Sequence, residues 1–341
     1  MKLSTRIRTA VAIATTAGLL AATGCAGDTA ESEPGVLNVG QISNSVAFFP
    51  LYVAEQEGYF TEEGVELGER PRLGTGAKLA AALTSGSIDV GAGVLTDAFN
   101  LAESNPETQV TGSLVTDYYV DIVTSSDFDG PSADASLEDK VRALEGRNIG
   151  ITGPGSGTEA LVIYLFEQVG LDAKTDATLV NLGAVPSSAI GALSEGQVDA
   201  LAFFQPTGQM AETQGVGDIY ISPQRGDIPD LSGSLHGALF STSGVIEEKG
   251  EEVEAFNRAI DRALEFIQSD PEAGAELLST YLEGTDPEAV EALNEILPQE
   301  FASSSQVSRD AFDTAVDFHL ESQLIDEAPE YDSLVWPQVQ E

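Results

Sequence analysis

The stretch ALTSGSIDV (residues 82–90) is followed 110 residues later by a similar stretch, ALSEGQVDA (residues 192–200). In each copy an apolar helix end is followed by glycine, the usual residue after a helix C-terminus, and then by a short apolar strand. Chance could produce this junction, because helix–glycine–strand turns are common. The order strand, glycine-rich loop and helix before each copy also repeats, which favours two similar α/β units of about 100 residues.

Both units alternate predicted strands with predicted helices, which is typical of parallel sheets with crossover helices. In the first unit the strands are VLNVGQI (36–42), VELGE (65–69) and IDVGAGV (88–94), and the helices are FFPLYVAEQEG (48–58) and AKLAAALTSG (77–86). In the second unit the strands are RNIGIT (147–152), ATLVNL (177–182) and VDALAFF (198–204), and the helices are GTEALVIYLFEQVG (157–170) and residues 187–195.

Two further strand-like runs, DYYVDIVTSS (117–126) and HGALFSTSGVI (236–246), flank the second unit and are the expected crossing points between lobes. Apolar residues recur at helical spacing over residues 251–267. Asp270 and Asp286 each precede Pro-Glu, so both are predicted N-caps of packing helices.

The composition indicates a globular protein without a metal centre. The 341 residues are enough for two domains, and 42% of them are apolar. A single cysteine, Cys25, excludes an internal disulfide framework and multi-cysteine metal sites. His236 and His319 lie far apart and form no zinc-binding motif. We therefore expect no metal and no cofactor.

The start of the chain predicts export. The basic segment MKLSTRIR precedes the apolar run AVAIATTAGLLAA, and together they form a secretory signal over residues 1–24, too short for a transmembrane anchor. The segment resembles a bacterial lipoprotein signal, in which Cys25 becomes the lipidated first residue; an ordinary signal with an incidental cysteine is the alternative. Residues 25–35 are then a flexible tether, and the protein is expected at the outer face of the cell membrane.

Acidic residues outnumber basic residues by 56 to 15, for a formal net charge of −41. Removal of residues 1–24, which hold three basic and no acidic residues, makes the charge −44. Such a chain does not favour nucleic acid, whose phosphates need Lys and Arg, or anionic lipid headgroups. The acids are spread along the whole chain, which suggests adaptation to a saline exterior where salt screens their repulsion.

Three glycine-rich loops precede predicted helices: GTGAK (74–78), GAGVL (91–95) and GPGSGTE (153–159). GPGSGTE lacks both the Lys-Ser/Thr pair of a P-loop and the spacing of a dinucleotide-binding loop. Exposed N–H groups at helix starts can instead bind anionic or polar ligand atoms. The hydroxyl groups of Thr75, Ser156 and Thr158 could assist, and a plain helix cap is the alternative for each.

Ligands of open parallel sheets bind beyond the carboxyl ends of the strands, and this rule selects the candidate binding residues. In the first unit they are Ser43, Asn44, Phe48, Phe49, Thr75, Gly76, Val94 and Leu95. In the second unit and at the crossings they are Ser156, Gly157, Thr158, Ala184, Val185, Gln205, Tyr118, Tyr119 and His236. A structural role is the alternative for His236.

The chain shows no catalytic constellation. Ser156 is not part of a GxSxG elbow, and Asp89 and Asp199 precede strands at the edge of the sheet away from the cleft. The segment DFDG (127–130) is too short for a calcium loop. We therefore expect that the protein is not an enzyme.

FFPLYVAEQEGYFTEEGVELGE (48–69) resembles the opening signature of periplasmic solute-binding proteins for nitrate, aliphatic sulfonates, taurine and thiamine pyrimidine. The resemblance continues through AALTSGSIDVGAG, LEGRNIGITGPGSGTEALV and ALSEGQVDALAFFQP, and it covers residues 36–325. It implies a type II periplasmic-binding-protein-like fold, in which two α/β lobes, residues 36–118 with 236–335 and residues 119–235, enclose a ligand cleft. It also implies delivery of the ligand to an ABC permease and its ATPase, and we expect a monomer.

The resemblance also implies ligand contacts, at Ser43, Asn44, Thr75, Gly76, Ser156, Gly157, Thr158 and Gln205. Many relatives have Glu where this chain has Gln205, and the loss of that charge favours a small anion of the sulfonate, taurine or nitrate type. The alternatives are a neutral thiamine-pyrimidine-like heterocycle and, on the same fold, an enzyme of the menaquinone pathway. Binding is expected to shift the population toward a closed form, with hinges near residues 117–123 and 236–242.

Overall fold

Short strands form three β-sheets in the residues that this computed structural model describes, 35–68, 70–132 and 134–341. The predicted signal sequence, Cys25 and most of the predicted tether lie outside those residues. The strands are β1 (Val36–Leu37), β2 (Val39–Gln41), β3 (Glu66–Leu67), β4 (Val90–Val94), β5 (Thr108–Val115), β6 (Val120–Ser125), β7 (Asn148–Ile151), β8 (Thr178–Asn181), β9 (Ala200–Phe204), β10 (Gly217–Ile221) and β11 (Gly237–Thr242).

Helices connect the strands and pack against them. The predicted caps are confirmed, because the Asp270 carboxylate accepts the N–H of Ala273 and the Asp286 carboxylate accepts the N–H of Glu288. The helices are α1 (Phe49–Gln56), α2 (Tyr59–Glu63), α3 (Gly76–Thr84), α4 (Leu95–Ser104), α5 (Leu137–Arg142), α6 (Gly157–Gln168), α7 (Ala173–Asp176), α8 (Pro186–Ser194), α9 (Thr207–Thr213), α10 (Ser243–Ser269), α11 (Pro271–Tyr281), α12 (Pro287–Glu300), α13 (Arg309–Glu321) and α14 (Tyr331–Leu334). Within the described residues, no helix is both long enough and apolar enough to cross a bilayer.

The first large sheet has the strand order β2-β4-β11-β5. Strands β2 and β4 are parallel, with Val39 opposite Val90, whereas β11 runs antiparallel to both of its neighbours. The predicted strand 36–42 is divided at Asn38, because the N–H of Asn38 donates to the Asp89 carboxylate. Strand β1 therefore pairs with β3 in a separate two-stranded sheet, and the predicted strand VELGE does not join the large one.

The second large sheet has the strand order β10-β6-β9-β7-β8. Strand β7 is parallel to both β8 and β9, with Ile149 opposite Ala200. All five residues of β9 are buried, as expected for a strand inside a parallel core. Strands β6 and β10 complete the sheet in antiparallel orientation, so the predicted parallel core is confirmed and the sheet as a whole is mixed.

The repeated phrase has the same structural role in both units. The registers of the β2–β4 and β7–β9 pairs differ by 110 residues on both strands. An aspartate precedes β4 and another precedes β9, and each accepts a backbone N–H from the start of the neighbouring strand. Asp89 accepts the N–H of Asn38 at 2.7 Å, and Asp199 accepts the N–H of Asn148 at 2.8 Å. These contacts show that the two units share one local fold.

Two segments join the strands of the two large sheets. Residues 116–119 connect β5 to β6, and residues 222–236 connect β10 to β11. The predicted strand-like run 236–246 is wrong in its last part, since the Thr242 hydroxyl accepts the N–H of Val245 and begins α10. In the C-terminal part, α12 packs against α9 and α13 packs against α6. The lobe boundaries given above stay a prediction.

Candidate functional site

A cavity of about 730 Å³ lies between the two large sheets. This volume is typical of pockets for small organic ligands, roughly 300–1,000 Å³. The loop after β2, the starts of α3 and α4, the loop between β7 and α6 and the loop after β8 all contribute to its walls. Tyr119 and His236, from the two joining segments, also line it. The cavity therefore lies where the strand-end rule predicts a ligand site.

The structure brings most of the predicted residues together around this cavity. They are Ser43, Thr75, Gly76, Val94, Tyr119, Ser156, Gly157, Thr158, Ala184 and His236. Asn44 and Val185 line an adjoining cavity of about 450 Å³, which shares Ile42, Ser43, Gly74, Ala184 and Phe204 with the first. That these residues contact a ligand stays a prediction.

Phe48, Phe49 and Leu95 do not reach the cavity, because their side chains point into the core and are almost fully buried. The Phe49 ring packs against Tyr281 and Phe301, with ring centroids 5.6 and 6.3 Å away. The strand-end rule gives the position of the backbone but not the direction of a side chain.

Tyr118 and Gln205 are also buried outside the lining of the cavity. The Tyr118 hydroxyl donates to the carbonyl oxygen of Gly157 at 2.6 Å and so supports the start of α6. The Gln205 side chain donates to the Glu300 carboxyl at 3.0 Å. The argument for an anion from the missing charge at position 205 is therefore wrong, since this side chain faces another acid and not the cavity.

The start of α6 gives one wall of the cavity its polar character. Ser156 caps the helix by accepting the N–H of Glu159 at 3.3 Å, and its hydroxyl lies 2.8 Å from the Thr158 hydroxyl. Thr75 caps α3 in the same way, accepting the N–H of Lys78 at 3.3 Å. Both side chains are helix caps and also line the cavity. The N-terminus of α6 carries partial positive charge that suits an oxyanion, and the Glu159 carboxylate of its first turn already uses part of this capacity by accepting the N–H of Gly155 at 2.6 Å.

Asp97, in the first turn of α4, lines the wall that the first sheet contributes and is absent from the predicted site. One of its carboxylate oxygens accepts the N–H of Val94 at 3.1 Å, and only 8% of the residue is exposed. Burial raises the pKa of Asp97 to about 6. An acid in the first turn of a helix that follows a buried strand is the signal that could have identified it, but the same signal marks ordinary helix caps.

Polar groups also connect the two walls directly. Asn100 of α4 donates a hydrogen bond from its side-chain amide to the carbonyl oxygen of Gly155 at 3.0 Å. Asn100 and Asn181 line the cavity and were not predicted, although Asn181 lies at the carboxyl end of β8, where the strand-end rule applies.

Among the described residues that line the cavity, Asp97 is the only acidic one. The described residues of this lining include no Lys or Arg, whereas Arg72 lines the adjoining cavity. Burial, and secondarily the proximity of His319, lowers the pKa of His236 to about 3, so its ring is neutral. Burial raises the pKa of Tyr119. At an effective dielectric constant of about 20, a second negative charge about 6 Å from Asp97 would be repelled by about 3 kcal/mol.

The residues described here offer no obvious metal centre, since they contain no group of three or more His, Cys, Asp or Glu side chains that could hold a metal ion.

The chain has two mixed β-sheets with helices packed against them, a similar parallel core in each sheet and a cavity between the sheets. This is the architecture of the periplasmic-binding-protein fold. The chain belongs to the NMT1-like family, whose model matches residues 30–281.

Individual relatives are distant in sequence. The Bacillus subtilis (strain 168) protein YtlA, whose name describes a binding protein, is 20% identical over 258 residues, which are 75% of this chain and 73% of YtlA. The alkanesulfonate-binding protein SsuA from Xanthomonas axonopodis pv. citri, solved bound to MOPS, has a TM-score of 0.70 and 20% identity, covering 91% of this chain and all of that one. The periplasmic nitrate-binding protein NrtA from Synechocystis PCC 6803 has a TM-score of 0.57 and 15% identity, and the match covers 72% of this chain and 66% of NrtA. These likenesses confirm the predicted fold.

Proposed function

We propose that this protein is an extracytoplasmic solute-binding protein of an ABC importer, and that it binds a small organic solute with an oxyanion group of the sulfonate type. The observation that carries the proposal is the cavity between the two sheets, lined from both sides and large enough for a small organic molecule. The family supports it, as does the fold shared with SsuA, a protein described as alkanesulfonate-binding. The protein acts as a carrier and not as an enzyme.

Binding is proposed to close the cleft. A solute that touches the start of α6 on one wall and the starts of α3 and α4 on the other gains its full set of contacts only when the walls approach each other. Such differential contact shifts an equilibrium between open and closed forms toward the closed one. The predicted hinges near residues 117–123 and 236–242 overlap the ends of residues 116–119 and 222–236, which join the sheets, and we place the hinge movement there.

The proposed setting is the outer face of the cell membrane. Lipidation of Cys25 would anchor the chain there, with residues 25–35 as a tether. An ABC permease and its ATPase would receive the solute from the closed form, and a monomer suffices for this task. Metabolic labelling with a radiolabelled fatty acid, compared between the wild type and Cys25→Ser, tests the anchor.

A thermal-shift screen of the Cys25→Ser mature chain tests the proposed binding. The panel contains alkanesulfonates, taurine, nitrate and an aminopyrimidine. A compound at a hundred times its Kd adds about 2.7 kcal/mol to the free energy of unfolding, enough for a shift of a few degrees. We expect sulfonates to give this shift and to reduce the radius of gyration in X-ray scattering.

A matched pair of variants locates the site. Ser156→Ala should weaken sulfonate binding, whereas Ser194→Ala, an exposed serine at the end of α8, should leave it unchanged. If no sulfonate changes either the melting temperature or the scattering, the proposal is wrong.

A neutral pyrimidine-like heterocycle is the second candidate, because the described residues that line the cavity include no Lys or Arg. The same screen separates the two ligand classes: a shift with the aminopyrimidine and none with any sulfonate would favour the heterocycle.

A further inference from the structure

The adjoining cavity, about 450 Å³ in volume, differs in charge from the larger cavity. Its described lining includes one cationic side chain, Arg72, and one acid, Glu283, which is exposed. The larger cavity has the opposite character, because its described lining includes Asp97 and no Lys or Arg. An anionic group is therefore better placed in the adjoining cavity than in the larger one.

Arg72 forms no ion pair among the described residues. Each of the other described arginines lies within 3.9 Å of a carboxylate oxygen, as Arg70 does with Glu55. The chain has 56 acidic and 15 basic residues, so an arginine that faces a cavity rather than a carboxylate is the exception in it. Its guanidinium group is thus available to an anion that comes from outside the chain.

Two hydrogen bonds hold the Arg72 side chain in position. Its Nε donates to Asn44 Oδ1 at 2.7 Å, and its Nη1 donates to the carbonyl oxygen of Arg70 at 3.2 Å. The backbone is fixed as well, because the N–H of Leu73 donates to the carbonyl oxygen of Gln41 in β2 at 2.8 Å. Nη2 has no acceptor among the described residues, so this end of the guanidinium group can donate to an oxyanion.

The wall that the second unit contributes to the adjoining cavity adds no negative charge. It consists of residues 184–187, Phe204, Pro206 and Met210, none of which is ionisable. Helix α8 begins within residues 184–187, and the partial positive charge of its N-terminus lies on the same side as that wall. An anion bound to Arg72 would meet no acid on this wall.

The two cavities share part of their lining, so one solute can occupy both. The shared residues are Ile42, Ser43, Gly74, Ala184 and Phe204. This boundary has no charged side chain and includes two large apolar ones, which suits an uncharged chain or ring. The same part of a solute can continue into the larger cavity, where Asp97 would repel a second negative charge.

We infer that the adjoining cavity is an anion subsite, in which Arg72 binds the oxyanion group of the solute while the uncharged remainder of the solute extends into the larger cavity. This inference rests on the proposed function, and it adds a subsite and a specificity-determining residue to it. It narrows the ligand to organic anions long enough to reach from one cavity into the other. It disfavours nitrate, which has no uncharged part.

The test compares two probes with the same six-carbon chain, hexanesulfonate and the neutral hexanesulfonamide. Calorimetric titration of the Cys25→Ser mature chain at pH 7.5 gives the ratio of the two affinities. We expect the wild type to bind the sulfonate at least about tenfold more tightly, because a charge-assisted hydrogen bond to Arg72 is lost with the sulfonamide. Arg72→Gln removes this charge and should lower the ratio to about threefold or less.

Lys78→Gln is the matched control. It removes one positive charge from an exposed position of α3 that lines neither cavity, so the ratio should stay as in the wild type. Glu283→Gln should change the ratio in the opposite direction, raising it by about two- to threefold, because it removes the described acid of the adjoining cavity. A gain of this kind cannot come from a folding defect, so the test does not depend on Arg72→Gln alone.

Two results would overturn the inference and leave the proposed function intact: an unchanged ratio in Arg72→Gln, or an equal fall of the ratio in Lys78→Gln. A wild type that binds hexanesulfonamide as tightly as hexanesulfonate would overturn it as well. Failure of the wild type to bind either hexanesulfonate or any other sulfonate contradicts the inference together with the function on which it rests.

Discussion

Burial of Glu300, at the end of α12, makes the stability of the fold depend on pH. The residue is 2% exposed, and its side chain receives one hydrogen bond, from Gln205. Burial is the main cause that raises the pKa of Glu300 to about 8, and the nearby acids Asp121 and Asp117 raise it further. The folded state therefore holds a proton that the unfolded chain releases near pH 4.5, so the free energy of unfolding falls as pH rises from about 4.5 to about 8.

Glu300→Gln should remove this pH dependence. Glutamine keeps an oxygen acceptor for Gln205 but never ionises, so the variant should be more stable than the wild type by about 1–3 kcal/mol at pH 8.5 and about equally stable at pH 4.5. Urea unfolding at pH 4.5, 6.5 and 8.5 measures the difference. Glu295→Gln, at an exposed position of the same helix, should show no such trend. A difference for Glu300→Gln that is constant across pH would contradict the assignment.

At the residue scale, the sequence predicted the position of the cavity better than it predicted which side chains line it. The starts of α3 and α6 were identified because glycine, serine and threonine mark helix starts in one dimension. Phe48, Phe49 and Leu95 were wrong because side-chain direction depends on packing against distant residues, such as Tyr281 for Phe49. Asp97 was missed for the same reason. Whether an acid in the first turn of a helix lines a cavity depends on how distant elements pack around it.

At the element scale, the repeated carboxylates Asp89 and Asp199 have equal roles but unequal surroundings. Asp89 is buried and accepts from the ammonium group of Lys249 at 2.9 Å, in addition to the N–H of Asn38. The backbone of α10 leaves helical geometry at Lys249, with φ −128° and ψ 27°, where this side chain turns inward to bond Asp89 and the carbonyl oxygen of Val36. Asp199 has instead a loose ion pair with Arg147 at 3.9 Å, with both side chains partly exposed.

Substitution of the two carboxylates should therefore have different costs. Asp89→Asn leaves the Lys249 charge buried without its partner and should destabilise the fold by about 3–5 kcal/mol. Asp199→Asn keeps the backbone hydrogen bond and loses only a partly exposed pair, so about 0–1 kcal/mol is expected. Urea unfolding at pH 7 compares the two. The double variant Asp89→Asn with Lys249→Met should recover part of the loss, and equal costs at the two positions would contradict this account.

The sequence predicted the parallel core of each sheet, because the strand–glycine–helix order that builds it is local and occurs twice. The antiparallel strands were identified only in part, since β6 and β11 fall within the predicted strand-like runs 117–126 and 236–246, whereas β5 and β10 were not predicted. Strand β5 buries Thr111 and Ser113 within the first sheet, so its sequence TQVTGSLV does not show the apolar pattern of a buried strand. Its partner β11 is more than 100 residues away in the sequence, and pairing at that distance leaves no local signal.

At the scale of the whole molecule, charge dominates. The chain has 56 acidic and 15 basic residues, so ion pairs can neutralise only a minority of the acids. Several of the ion pairs in the described residues, such as Arg142 with Glu138 and Arg309 with Asp332, lie at the surface, where a pair contributes little. Repulsion among the remaining carboxylates favours the expanded, unfolded chain.

Salt should therefore stabilise this protein. The screening length falls from about 10 Å at 0.1 M to about 3 Å at 1 M, which weakens the long-range repulsion among many acids more than it weakens the few close pairs. We expect the melting temperature of the ligand-free Cys25→Ser mature chain to rise by at least a few degrees between 0.05 M and 1 M NaCl. Choline chloride should act like NaCl if screening is the cause, whereas sulfate is avoided because it also strengthens apolar burial. An equal or lower melting temperature in 1 M salt would show that repulsion among the acids does not limit stability, and the acidity of the chain would then need another explanation than a saline exterior.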